Sequence, residues 1–99
     1  MRALITGTSR GIGAALVDEG RARGHEVIGT TRSGDAPTLD VTDTSAQARV
    51  AAEIGAIDLL VCNAGVFLDR GATLETLTAE ALNDSFATNA TGVFLTVQA

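Results

Sequence analysis

The 99-residue chain contains no lysine, no tyrosine and no tryptophan, and it has one cysteine, one proline and one histidine. Since Cys62 is the only cysteine, an internal disulfide is excluded, and we interpret this thiol as a small residue at the end of a buried strand. The absence of lysine excludes the phosphate-binding P-loop, whose GxxxxGK pattern requires that residue. His25 has no second histidine as a partner and the acidic residues lack ligand spacing, so the sequence predicts no metal site.

The charge of the chain is −5, from seven arginines among twelve acidic residues. Because the arginines are scattered, the sequence predicts no basic face and no binding to nucleic acid. The apolar runs are far shorter than the roughly 20 residues of a membrane-spanning helix, and the first strand begins directly after Met1, which leaves no room for a signal peptide. We therefore expect a cytoplasmic protein without membrane association, folded as one domain over residues 1–99.

A glycine-rich loop follows the first apolar run, Ala3–Ile5, and leads into an alanine-rich stretch that is typical of a helix. Its glycines, at positions 7, 11 and 13, have the spacing GxxxGxG, which differs from the general dinucleotide pattern GxGxxG. Glycine lets a backbone turn sharply and approach a ligand closely, and the following helix directs its free N–H groups at an anion. The loop therefore predicts a phosphate-binding site.

Strands and helices alternate along the chain, which predicts an α/β fold with a parallel sheet and helices on both faces. The predicted strands are 2–6, 26–31, 38–41 and 57–62, and the predicted helices are 11–23, 44–54 and 78–99. Right-handed crossovers place these strands in the order 3-2-1-4, a Rossmann-type sheet. Ligands of such sheets bind at the carboxyl ends of the strands beside the switch in direction, where the glycine loop and residues 63–65 both lie.

Local signals fix the ends of these elements. Gly24 suits a left-handed cap after the first helix, and Thr44 with Gln47 has the spacing of a capping box. Residues 33–37 are too few for a helix and predict a bare loop. In the last helix an apolar stripe at spacings of three and four predicts a core-facing side. The stripe consists of Leu82, Phe86, Asn89, Val93 and Val97.

Three motifs in this order resemble the short-chain dehydrogenase/reductase family: the loop Thr6–Gly13, then Asn63-Ala64-Gly65, then Asn89. The resemblance covers essentially the whole chain and implies the N-terminal, cofactor-binding part of that fold, truncated relative to the family. It also implies that the catalytic serine, tyrosine and lysine lie beyond these residues, so that the chain alone should not catalyse hydride transfer. For Asn89 it implies a proton-relay position; a hydrogen bond to a neighbouring backbone carbonyl is the alternative.

The resemblance implies a dinucleotide site with a preference for NADP(H) over NAD(H). NAD-binding relatives place an acid at the end of the second strand, where this chain has Thr31 followed by Arg32. The planar fork of arginine suits a phosphate, and Arg10 could approach the same group. Two ordinary surface arginines are the alternative. The remaining loop residues expected at the cofactor are Gly7, Ser9, Gly11, Ile12 and Gly13.

Two further segments complete the implied site. Asp40 matches the acid that accepts the adenine amino group, with the Val41 backbone beside it; a carboxylate satisfied by the next turn is the alternative. Residues Asn63, Ala64 and Gly65 match those that pass behind the riboses. Cys62 replaces the asparagine that is more frequent in the family.

Two functional classes follow from the sequence. The first is a part of an NADP(H)-dependent oxidoreductase acting on a carbonyl or alcohol substrate, and its last helix reaches Ala99 without a stop signal. The second is a non-catalytic nucleotide-binding or self-associating Rossmann half. In both, we expect the apolar edge of the fourth strand to be covered, either by the remainder of a longer polypeptide or by another copy.

Overall fold

The computed structural model describes residues 1–34, 37–67 and 71–99. Its sheet has three parallel strands in the order β2-β1-β3, which are β1 (Arg2–Thr6), β2 (Glu26–Thr30) and β3 (Leu59–Val61). The central strand pairs with both neighbours, and its apolar residues Ala3, Leu4 and Ile5 are therefore buried. This arrangement confirms the predicted α/β fold. Because β3 is the predicted fourth strand, it also confirms the predicted order 2-1-4 for these three strands.

The helices are α1 (Gly11–Ala22), α2 (Thr44–Ile54), α3 (Ala79–Phe86) and α4 (Gly92–Gln98), and a π-helical turn, Ala87–Thr91, joins the last two. Gly24 follows α1 with φ +86°, in the left-handed region, as predicted. The predicted capping box of α2 is wrong. Asp43 caps that helix through the Ala46 N–H at 3.1 Å, because Gln47 is buried and bonded elsewhere.

The predicted third strand over 38–41 is wrong, since only Thr38 forms a bridge, parallel to Thr31. The Leu39 N–H still donates to the Thr31 carbonyl at 2.7 Å, but the chain turns directly afterwards. There the Asp40 carboxylate accepts from the Thr42 N–H at 3.0 Å, and this local bond replaces a strand pairing. Residues 35–36, within the loop predicted over 33–37, lie outside the described residues.

The predicted core-facing stripe of the last helix is also wrong. Phe86 is 60% exposed and Val97 66% exposed, whereas Gly92 and Thr96 on another side are buried. The reason is a close approach: a Cβ on Gly92 would lie 2.6 Å from Val41 Cγ2. The helix therefore packs through its small residues, while Phe94 and Val97 face outwards.

Among the described residues, the buried apolar side chains form two clusters, on opposite faces of the sheet. Val17 of α1 packs with Ile5 and Val27 on one face. Successive strand residues point to opposite faces, so Leu4 faces the other side, where it borders a cavity shared with Val50 of α2. Among the helices that the structure describes, none is long and apolar enough to cross a bilayer.

Candidate functional site

The glycine loop connects the carboxyl end of β1 to α1 and permits an unusually close backbone approach. Gly7 has φ +71°, and a Cβ there would lie 2.7 Å from Ala64 Cα. A Cβ on Gly13 would lie 2.2 Å from the Gly7 carbonyl oxygen and 2.6 Å from Asn63 Nδ2. Only glycine fits at these two positions, so the first turn of α1 can sit directly against the loop.

The amino end of α1 is available to an anion. Its N-cap residue, Arg10, has an extended backbone and makes no side-chain capping bond within the described part of the chain. The first turn contains no acidic residue. The free N–H groups and positive dipole end of this 12-residue helix therefore face the loop without a competing carboxylate.

Thr6 joins the two loops that follow β1 and β3. Its side chain is buried, and its Oγ1 accepts from the N–H groups of Asn63 and Ala64, both at 3.1 Å. Asn63 Nδ2 in turn donates to the Gly7 carbonyl at 2.9 Å. The motif Thr6–Gly13 includes Thr6 but does not predict this bridging role; its place as the last strand residue before Gly7 is the signal that could have indicated it.

These loops enclose a cleft of about 390 Å³ at the carboxyl ends of the strands. The cleft brings together all of the predicted site residues except Ile12, Gly13 and Asn89. They are Gly7, Ser9, Arg10, Gly11, Thr31, Arg32, Asp40, Val41, Asn63, Ala64 and Gly65. Segments far apart in the sequence thus meet at one place, as the Rossmann-type prediction requires.

The end of the cleft beyond β2 carries opposite charges. Arg32 Nη2 lies 3.9 Å from Asp40 Oδ2, and both side chains are substantially exposed. Asp40 Oδ1 accepts from the Thr42 hydroxyl at 2.7 Å and from the Thr42 N–H. These hydrogen bonds, followed by the Arg32 charge, lower the pKa of the Asp40 carboxyl. One oxygen of Asp40 is thus hydrogen-bonded to the next turn, which is the alternative that the sequence left open. The other oxygen faces Arg32.

Asn89 lies within the π turn and binds the loop after β3. Its Nδ2 donates to the Val66 carbonyl and its Oδ1 accepts from the Val66 N–H, both at 2.7 Å. This pair is the backbone hydrogen bonding that the sequence offered as an alternative, and it ties the loop to the helix. Asn89 borders an adjoining cavity of about 810 Å³ together with Cys62 and Arg10. Burial raises the pKa of the Cys62 thiol.

The chain is similar to proteins of known sequence and structure. A sequence model described as short chain dehydrogenase matches residues 35–99. The 3-oxoacyl-(acyl-carrier-protein) reductase FabG of Escherichia coli (strain K12) is 38% identical over 93% of this chain and 44% of its own length. The corresponding reductase MabA of Mycobacterium avium is 36% identical over 96% of this chain and 40% of its own length. The chain thus spans less than half the length of these relatives.

A solved structure of a short chain dehydrogenase from Burkholderia cenocepacia J2315, in complex with NADP, superposes with a TM-score of 0.83. It is 32% identical and matches 98% of this chain and 48% of that one. The similarity therefore extends across both the glycine loop and the helix that carries Asn89.

Proposed function

This chain belongs to the short-chain dehydrogenase family, and on that premise we propose that its cleft binds NADP(H). We further propose that it supplies the cofactor-binding part of an oxidoreductase that transfers hydride between the nicotinamide and a carbonyl or alcohol substrate. The observation that carries the proposal is the cleft itself. It joins a helix N-terminus that no side chain of the described residues caps, a loop with two positions that only glycine fits, and two arginines.

The residues present suit the parts of the dinucleotide. The pyrophosphate fits the loop before α1, because N–H groups and a helix dipole stabilise a negative charge there. Asp40 and Val41 would receive the adenine, and the backbone of Asn63–Gly65 would pass behind the riboses. The nicotinamide, when bound, supplies or accepts the hydride. The residues of this chain hold and orient it.

A preference for NADP(H) rests on Arg32 and Arg10, which both line the cleft. NAD-binding relatives have an acid at the end of the second strand, which binds the 2′-hydroxyl. Here that position is the uncharged Thr31, and the guanidinium of the next residue, Arg32, can bind a 2′-phosphate. Arg32 Nη2 lies 3.9 Å from Asp40 Oδ2, so the guanidinium is at the end of the cleft where the adenine ribose is expected. For Asn89 we propose the relay position of the family, with its two bonds to Val66 fixing the amide.

Replacing Arg32 by alanine tests the proposal. We expect NADPH to bind about ten- to a hundredfold more weakly, because a hydrogen bond to a charged group contributes about 1.5–3 kcal/mol. Binding of NADH should change little. Calorimetric titration with both cofactors gives the comparison, and Arg23→Ala, at a similarly exposed arginine directly after α1, is the matched control. Equal losses for NADPH and NADH would show that Arg32 does not bind the 2′-phosphate.

We also propose that the outward apolar surface of α3 and α4 is covered in the functional protein. Phe86, Phe94 and Val97 are each at least 60% exposed there, and such clusters mark contact surfaces. We expect a chain of confirmed mass ending at Ala99 to sediment as an oligomer at micromolar concentration. Phe94→Ser should shift it towards the monomer. A wild-type monomer with a cooperative melt would contradict this expectation.

A further inference from the structure

Gln47 is a buried polar residue on α2 whose side chain binds the backbone of Val41, a residue that lines the cleft. It is 4% exposed, and its Nε2 donates to the Val41 carbonyl at 3.2 Å and to Thr96 Oγ1 at 2.7 Å. Thr96 uses its own hydroxyl hydrogen to donate to the Gly92 carbonyl at 2.8 Å. Its oxygen is thus an acceptor towards Gln47, and both amide hydrogens of Gln47 are engaged.

We propose that Gln47 is a positioning residue for the adenine end of the cleft. The inference rests on the proposed function, because it assumes that Asp40 and Val41 receive the adenine. Gln47 makes no direct contribution to the cleft lining. It acts through Val41, whose backbone it holds from the side opposite to the ligand.

Val41 is fixed at two points. Gln47 binds the Val41 carbonyl. The Val41 side chain packs so closely against Gly92 that a Cβ on Gly92 would lie 2.6 Å from Val41 Cγ2. Val41 stands between Asp40 and Thr42, whose mutual hydrogen bonds orient the Asp40 carboxylate. Moving the Val41 carbonyl would therefore move the carboxylate that faces the adenine.

The two hydrogen bonds of Gln47 require a neutral side chain that donates both of them. Both partners of Nε2 accept, so an ionised carboxylate of the same size would face the Val41 carbonyl oxygen with a like partial charge. Methionine has the same length and no donor. These two replacements separate the hydrogen bonds of Gln47 from the volume that it fills.

The experiment titrates the chain with 2′,5′-ADP and with NADP⁺, in variants shown by thermal melts to be folded. In Gln47→Met we expect both nucleotides to bind about three- to tenfold more weakly, and by the same factor, because only the adenine half is affected. Gln47→Glu should give a similar loss at pH 8. Gln98→Met, at an exposed glutamine on α4, is the matched control and should change neither value.

The outcomes separate the two proposals. If the wild-type chain does not bind 2′,5′-ADP, the proposed function fails, and this inference fails with it. If the wild type binds but a folded Gln47→Met variant binds equally well, or loses more affinity for NADP⁺ than for 2′,5′-ADP, only the inference is overturned. Loss of a cooperative melt in both Gln47 variants would also overturn it, because Gln47 would then stabilise the fold as a whole.

Discussion

Replacing Gly13 by alanine is expected to lower the melting temperature markedly and to weaken nucleotide binding. The new Cβ would lie 2.2 Å from the Gly7 carbonyl oxygen and 2.6 Å from Asn63 Nδ2. Neither atom can move freely, because Asn63 Nδ2 and the Gly7 carbonyl are bonded to each other at 2.9 Å. Overpacking of this kind costs about 1–3 kcal/mol or more, and alanine returns only about 1 kcal/mol of helix propensity.

Differential scanning calorimetry measures the melting temperature, which falls by about 4–8 °C for each kcal/mol of stability lost in a domain of this size. Gly20→Ala is the matched control on the same helix. Its Cβ would lie 2.7 Å from the Cγ2 methyl of Val27, so it would crowd one core side chain and no backbone atom of the glycine loop. Gly20→Ala should therefore lose less stability than Gly13→Ala and keep the nucleotide affinity. A Gly13→Ala variant that melts and binds like the wild type would contradict the close packing described for this loop.

Elements set by local patterns could be predicted from the sequence. The apolar run that becomes β1, the glycines before α1 and the Gly24 cap each determine their own structure through nearby residues. The predicted strand over 57–62 is too long at both ends, since β3 covers only Leu59–Val61. Beyond it the amides of Asn63 and Ala64 bind the Thr6 side chain and do not continue the ladder. That competition involves a partner 57 residues away and leaves no local signal.

The last helix shows why an apolar stripe can mislead. The pattern from Leu82 to Val97 predicts a buried side on the assumption that large side chains pack inwards. In the structure Gly92 and Thr96 face the interior, because the close contact with Val41 and the bond from Gln47 favour small and polar groups there. The apolar stripe exists, but its residues Phe86 and Val97 lie on the exposed side of the helices.

The grouping of the candidate site residues was easier to predict than the side chains that support them. Residues of the cleft carry the recognisable motifs, and most of them meet where the parallel fold requires. Gln47 and Thr96 hold those residues in place from outside the motifs, and Thr6 does so from the first position of the first motif. Gln47 and Thr96 are 49 positions apart, so their contact could be found only once the fold had brought α2 and α4 together.

A chain consisting only of these 99 residues is expected not to reduce a reactive ketone with NADPH above the rate of a protein-free control. Ketone reduction needs a proton donor beside the hydride, and such assistance typically contributes 10²–10⁴-fold. The sequence has no tyrosine and no lysine to provide one. His25 lies just before β2, at the amino ends of the strands, which is the edge opposite to the cleft.

The titratable groups near the cleft have pKa values that suit them poorly to this task. Hydrogen bonds from Thr42 lower the pKa of Asp40, so at neutral pH it is ionised and has no proton to give. Burial raises the pKa of Cys62, so its thiol holds its proton more tightly than usual. The measurement is NADPH consumption by protein of confirmed intact mass, with Arg32→Ala as a variant of weakened cofactor binding. Turnover that falls in parallel with the loss of NADPH affinity in Arg32→Ala would contradict the prediction, and Cys62→Ala would then test whether the thiol is the proton donor.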